Sequence, residues 1–508
     1  NYTLEGEAIT LSQKDGTDSR LDIHGETTFN CPMIVTGNAW NKAGSGTLIL
    51  NAASPDNTKY VNHNAGIIRL RDNQAAGSEY LHVSSEACVE VENNITVTNS
   101  LYFGNTTTGS TAVNLRSNSG NNTWAGTVFI HNTHEYAIID VNSGSTLTIS
   151  GRVRPRVVGT ITAVGSVTKV GAGTLVLSGN NDYLGPTYLN AGITTIRHSN
   201  ALGTVDAGTT VAAGATLQLE NSIAVGAETL ALSGTGIGGT GALRSISGTN
   251  SWAGTVALSG TVAVGVDAGT LTLGGIVSGG ALTKVGAGTL VLSAANTYTG
   301  TTTIEGGTVR LAGGDNRINP TGRLYIENGG ALDLNGQNQT FQLWSRLRGG
   351  GAIYLGNGTL TLRDADLYNT ATISGTGQLV IEGAGLVTFA TAATYTGGTI
   401  INNGRIAMYG DSNRLPVTGH VEVNGLGILD LSYYAYTGRT QTIGTLTGDG
   451  TVRISGTTFV LGNGGGSSDF SGSIVDGLAK DPSPGQVTFP LGQMRKTGTG
   501  AITLSGQS

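Results

Sequence analysis

The stretch Thr168-Lys169-Val170-Gly171-Ala172-Gly173-Thr174-Leu175-Val176-Leu177-Ser178 recurs with the same sequence from Thr283 to Ser293. Weaker copies begin at Asn41, Gly383 and Arg495, and their first glycines, Gly44, Gly171, Gly286, Gly383 and Gly498, lie 127, 115, 97 and 115 residues apart. Self-similarity of this kind limits a chain to units that bury their apolar faces by stacking on one another. A polar turn with an asparagine follows each of the first four markers after 29 or 30 residues, at Asn73, Asn200, Asn316 and Asn413. The first part of each block therefore has a fixed course, and the unequal intervals arise later. Trp124-Ala125-Gly126 and Trp252-Ala253-Gly254 form a second marker, with Phe470-Ser471-Gly472 as its third copy.

Within a block the apolar period is two. Leu48 and Leu50, Leu175 and Leu177, Leu290 and Leu292, Val387 and Phe389, and Ile502 and Leu504 alternate with a less constant residue, as on a strand with one face in a core. Further strands are predicted at Thr301–Ile304, Thr308–Leu311, Arg323–Glu327, Ala331–Leu334 and Gly358–Arg363. Glycine occupies 82 of 508 positions, more than twice the usual roughly 7%, which opposes long helices. Many short strands without helical crossovers favour successive coils of a parallel solenoid, with glycine at corners that need positive φ. Coils of roughly 20 to 25 residues, stacked about 4.8 Å apart, predict a rod some 100 Å long. Asn180, Asn181, Asn190, Asn402 and Asn403 are expected in its turns.

The run from Thr283 to Leu311, through Asn296-Thr297-Tyr298-Thr299-Gly300 and Glu305-Gly306-Gly307-Thr308-Val309, resembles the passenger-associated repeat of bacterial autotransporters. Thr168–Gly203 resembles it equally, Gly383–Leu415 less, and the chain before Lys42 least. The resemblance implies a right-handed parallel β-helix displayed or secreted by a diderm bacterium through a C-terminal membrane barrel, which this sequence lacks. Residues 1–40 are expected to form atypical N-terminal coils. Residues 41–508 should be built of blocks starting near 41, 168, 283, 380 and 495. The chain starts at Asn1 without an initiator Met or signal sequence and stops at Ser508 inside a fresh block, so it is expected to be processed or part of something longer.

A net charge of −6 opposes binding to duplex nucleic acid, and no apolar run is long enough for a membrane helix. Arg152, Arg154 and Arg156 are read as a solvated turn. Cys31 and Cys88 are read by default as two buried thiols, a disulfide being the alternative. No P-loop, nucleophile elbow or His-Glu-x-x-His occurs, and no helix follows the Gly-Ala-Gly turns, so no cofactor is expected. Three clusters could carry chemistry. Asp364 and Asp366, on one strand face beside Arg363, and the group His131, His134, Glu135 and Asp140 could supply converging carboxylates, but an outer face and a loop are favoured. Asp15, Asp18 and Asp22 could hold calcium, but an acidic turn is favoured and no metal is expected.

Blocks three and four keep a constant offset of 97 residues through Leu332/Leu429, yet Gln339-Thr340 matches Gln441-Thr442 at 102. Five residues have been added at or beside Tyr433-Tyr434-Ala435-Tyr436-Thr437, making Tyr433, Tyr434 and Tyr436 candidate binding residues. The expected function is non-enzymatic: an extracellular surface rod, stalk or filament subunit, serving as an adhesin or structural element. Its partners would be glycans, surface proteins or further copies along the rod or end to end. The alternative is a carbohydrate-active β-helix enzyme or a viral tail spike.

Overall fold

The computed structural model describes residues 1–12, 18–104, 112–130, 136–158, 161–162, 164–342, 350–432, 438–476 and 491–506. The chain divides into two compact units, Asn1–Gly269 and Thr270–Ser508. Each is a parallel β-solenoid. Short strands pair in parallel with the strand one coil later, and a single antiparallel pair, Val157–Val158 with Ile161–Thr162, interrupts the pattern among the described residues. The one helical element described is a 3-10 turn at Ile237–Gly239.

Parallel stacking in register makes a column out of each sequence position. In the first unit, Leu48, Ile68, Val89, Leu115 and Ile139 succeed one another inward, as do Val61, Leu81, Leu101, Val128 and Val153 on another face. In the second, Leu290, Val309, Leu332, Ile353 and Ile373 form one column, and Val387, Ile406, Leu429, Val452 and Ile474 another. Most of these side chains are wholly buried, each contributing about 1.5–3 kcal/mol through its removal from water. The predicted strands lie at Thr302–Ile304, Gly307–Leu311, Leu324–Ile326, Gly330–Asp333 and Thr359–Arg363, within a residue or so of expectation.

The marker glycines are the corners. All five, Gly44, Gly171, Gly286, Gly383 and Gly498, have φ between 69° and 80°, and a Cβ on Gly171 would overlap Asp140 Oδ1 and the Val141 carbonyl. Two residues before the first three, Lys42, Lys169 and Lys284 are fully buried. Lys42 Nζ donates to the carbonyls of Gly44, Gly46 and Ala65 at 2.7, 2.6 and 2.7 Å. Lys169 does the same to Val170, Gly171 and Ala191 at 2.8, 2.6 and 3.1 Å, and Lys284 to Val285, Gly286 and Gly306 at 2.9, 2.7 and 3.1 Å. The three N–H groups of each ammonium thus meet three backbone carbonyls of the corner and the next coil. The fourth corner has buried Ile381 instead.

The second signature is a buried tyrosine twelve residues after the marker. Tyr183, Tyr298 and Tyr395 are completely buried, and their hydroxyls bond Thr187, Thr302 and Thr399 at 2.6, 2.7 and 2.6 Å. Burial pushes the Tyr298 phenol up to about 12 and the other two further in the same direction. The turn asparagines tie coils together: Asn73, Asn316 and Asn413 accept the backbone N–H of Thr96, Thr340 and Thr442 at 2.7, 2.8 and 2.8 Å. The last two bonds span 24 and 29 residues, so the five-residue insertion is absorbed without losing the bond. Cys31 and Cys88 are free, buried thiols.

Candidate functional site

Strands Tyr60–His63, Leu81–Val83, Leu101–Phe103, Val128–Ile130 and Val153–Pro155 stack in one sheet of the first unit. Their middle residues, Asn62, His82, Tyr102, Phe129 and Arg154, stand in register on the outer face, because alternation sends the residues before and after them into the core. Tyr60, the first residue of its strand, and Tyr80, just before the next, extend the row. The Tyr60 and Tyr80 rings stack at 4.9 Å and 4°, Tyr80 meets Tyr102 edge to face at 5.0 Å, and Tyr102 stacks on Phe129 at 4.3 Å and 8°. Each such pair is worth about 0.5–1.5 kcal/mol beyond the area it buries.

Two guanidiniums close the row. Arg154 Cζ lies 6.0 Å from the Phe129 ring centre and Arg156 Cζ 5.4 Å from that of Tyr102, within reach of the ring quadrupoles. Arg154 is therefore a strand residue and Arg156 covers a ring, which corrects the reading of this cluster as a solvated turn; only Arg152, paired with Asp182, is exposed among the three. Asn62, Tyr80, His82, Tyr102 and Arg156 surround an open hollow of about 230 Å³. Burial raises the Tyr80 phenol, with Tyr60 and Tyr102 adding to it, so Tyr80 stays a neutral hydroxyl at any ordinary pH.

A second outward row in the same unit has the opposite character. Arg69, Glu90, Arg116 and Asp140 are in register, and Glu90 sits between Arg69 Nε at 2.8 Å and Arg116 Nη1 at 2.9 Å while Arg116 Nε reaches Asp140 at 2.8 Å. Burial alone would raise the Glu90 carboxyl, but hydrogen bonds from Arg69 and Asn118, with those from Arg116, bring it below the usual range. Every charge in this row has a partner.

The described carboxylates of these acidic clusters have contacts within the fold. Asp140 belongs to the charge row. The strand Thr359–Arg363 ends before Asp364, whose φ is 50°, so Asp364 and Asp366 are turn residues rather than neighbours on one strand face. Each ties down the next coil, accepting from the N–H of Ala384 at 2.9 Å and Leu386 at 3.0 Å, while Arg363 pairs with Glu382. Asp22 pairs with Arg20, and Asp18 takes a long contact of 3.5 Å from Asn41. His131, His134, Glu135, Asp15, Tyr433, Tyr434 and Tyr436 lie outside the described residues. Among those described, no three His, Cys, Asp or Glu side chains are grouped to hold a metal, and no helix is long and apolar enough to cross a membrane.

The aromatic row escaped the sequence analysis because its members, Tyr60, Tyr80, Tyr102 and Phe129, recur at intervals of 20, 22 and 27 residues. The signal that could have found them is one aromatic per coil in a region without the glycine marker. Elsewhere the markers are recognised directly: the Passenger-associated-transport-repeat family model matches residues 167–196, 282–311 and 374–408. The Adhesin BmaC autotransporter of Brucella suis biovar 1 (strain 1330) is 32% identical over 388 residues, 72% of this chain and 10% of that protein. The chain thus spans about a tenth of the length of that relative. No solved structure matches.

Proposed function

The chain belongs to the autotransporter passenger-repeat proteins, and on that footing we propose that it is a non-enzymatic adhesive or structural segment exposed outside a diderm bacterium. The observation that carries this reading is the contrast between its surfaces. The charged rows and turn carboxylates are consumed in fastening coil to coil, while the aromatic row stays open to a partner. Its partners are surface molecules, and the blocks starting near 41, 168, 283, 380 and 495 are the duplicated units that give it length. Tyr433, Tyr434 and Tyr436 are retained as a second contact point.

Microspheres coated with the purified chain test the reading against epithelial cells and bacterial cells in flow. Retention well above albumin-coated spheres is expected. Equal release of both kinds from every surface would sink the adhesive role.

A further inference from the structure

We infer that the outward row from Tyr60 to Arg156 binds an anionic polysaccharide, with a sugar ring in the hollow lined by Asn62, Tyr80, His82 and Tyr102 and its carboxylate or sulfate at Arg156. The inference rests on the adhesive reading and adds the chemistry of the partner. Arg20, Arg69, Arg71, Arg116, Arg152, Arg197 and Arg244 each pair with a carboxylate. Arg154 and Arg156 are the arginines of the first unit that have none among the described residues, and Arg154 Nε is buried without an acceptor. In a protein of net charge −6, two guanidiniums lying over rings of the same row, with no carboxylate partner among the described residues, form a local site for an anion, and the fork of N–H donors suits a planar carboxylate or a sulfate.

The rings define the rest of the ligand. Sugars present a face of C–H bonds that packs on a flat aromatic surface and an edge of hydroxyls that needs hydrogen bonds. Tyr80 and Tyr102 give the hollow aromatic walls, and Asn62 and His82 line it with polar atoms. At about 230 Å³ the hollow is smaller than a drug-sized pocket of about 300–1,000 Å³, which suits one ring of a chain. Because the rings pack on one another along four coils, their outer edges form a continuous aromatic strip beside which neighbouring sugars can lie. Single-stranded nucleic acid also stacks on aromatics, but its sites carry a basic groove along the backbone, and two arginines do not make one.

Calorimetric titration of the whole chain tests this with four probes: heparin-derived oligosaccharides for sulfate, polygalacturonate oligosaccharides for carboxylate, dextran oligosaccharides for neutral sugar, and oligothymidylate for nucleic acid. At least one anionic sugar is expected to bind, and which one identifies the anion; dextran and oligothymidylate should bind at least tenfold more weakly. Tyr80→Ala and Arg156→Gln should each weaken the anionic sugar tenfold or more, and Arg152→Gln, whose side chain is already paired with Asp182, should leave it unchanged. If Tyr80→Ala unfolds locally, Arg156→Gln decides, since its side chain makes no ion pair that folding needs. Absence of binding to both anionic sugars, equal affinity in Arg156→Gln, or tighter binding of oligothymidylate would overturn the inference. Retention of coated spheres without sugar binding would overturn it and leave the adhesive reading standing; sugar binding without retention does the reverse.

Discussion

The two outward rows of the first unit occupy equivalent situations and are built oppositely. Both place one side chain per coil in register on a flat parallel sheet. In the row Arg69–Glu90–Arg116–Asp140, each charge is answered by the next coil. In the row Asn62–His82–Tyr102–Phe129–Arg154, the rings answer one another and the cations at its end are left over. A stacked sheet repeats whatever its outer position holds, so a row closes on itself only when its residues alternate in sign. The difference teaches how to separate fastening from recognition on a surface with few clefts.

Breaking the closed row should have the largest effect. Glu90→Ala leaves Arg69 and Arg116 without the carboxylate between them, and because Glu90 is only 2% exposed, the loss should be about 3 kcal/mol or more, read as a lower midpoint in chemical denaturation. Next comes a corner. Lys169→Ala orphans three carbonyls and should cost about 2–3 kcal/mol, whereas Ile381, the equivalent residue of the fourth block, shows that a branched apolar side chain can fill the place. Lys169→Ile should therefore cost less than Lys169→Ala, and the same denaturation series checks the order.

Two buried glutamates sharpen the comparison through pH. Glu90, held below the usual range by its arginines, contributes stability that is present above the ordinary carboxylate pKa and lost as pH falls through its lowered one. Glu228 is equally buried but has only a hydroxyl, that of Thr209, and burial pushes it up to about 7. Its contribution is present below the ordinary 4.5 and lost as pH rises through about 7. Glu228→Gln should raise Tm by about 2 °C or more at pH 8 and leave it unchanged near pH 4, which thermal melts at the two values decide. The smallest effect belongs to the open row: Arg156→Gln should shift stability by no more than about 0.5 kcal/mol, visible as an unchanged melting curve.

The repeat ruler made the architecture legible. Gly44, Gly171, Gly286, Gly383 and Gly498, the first glycines of the self-similar copies, all sit at left-handed corners, and Trp124, Trp252 and Phe470, copies of one turn, are all fully buried. Function was less legible for a physical reason. A position on the outer face is defined only by which residue lies one coil away, and coil length is uneven in the first 160 residues, where Leu81, Leu101, Val128 and Val153 align at steps of 20, 27 and 25. Parity along one strand could not reveal that Arg154 continues the line of Phe129. Nor could it show that Asp364 leaves the strand, because the positive φ that turns it out is a property of the corner. The role of the lysine before the marker was hidden differently: its motif was evident, but a buried ammonium meeting three carbonyls becomes visible only when the next coil is in place.

The most direct test of the division between the rows is one titration performed on two variants, Arg116→Gln from the closed row and Arg156→Gln from the open one, with the anionic oligosaccharide that binds the unaltered chain. Arg116→Gln should bind with unchanged affinity despite its lower Tm, and Arg156→Gln should bind at least tenfold more weakly with its Tm intact. Equal affinities in the two variants would contradict the division.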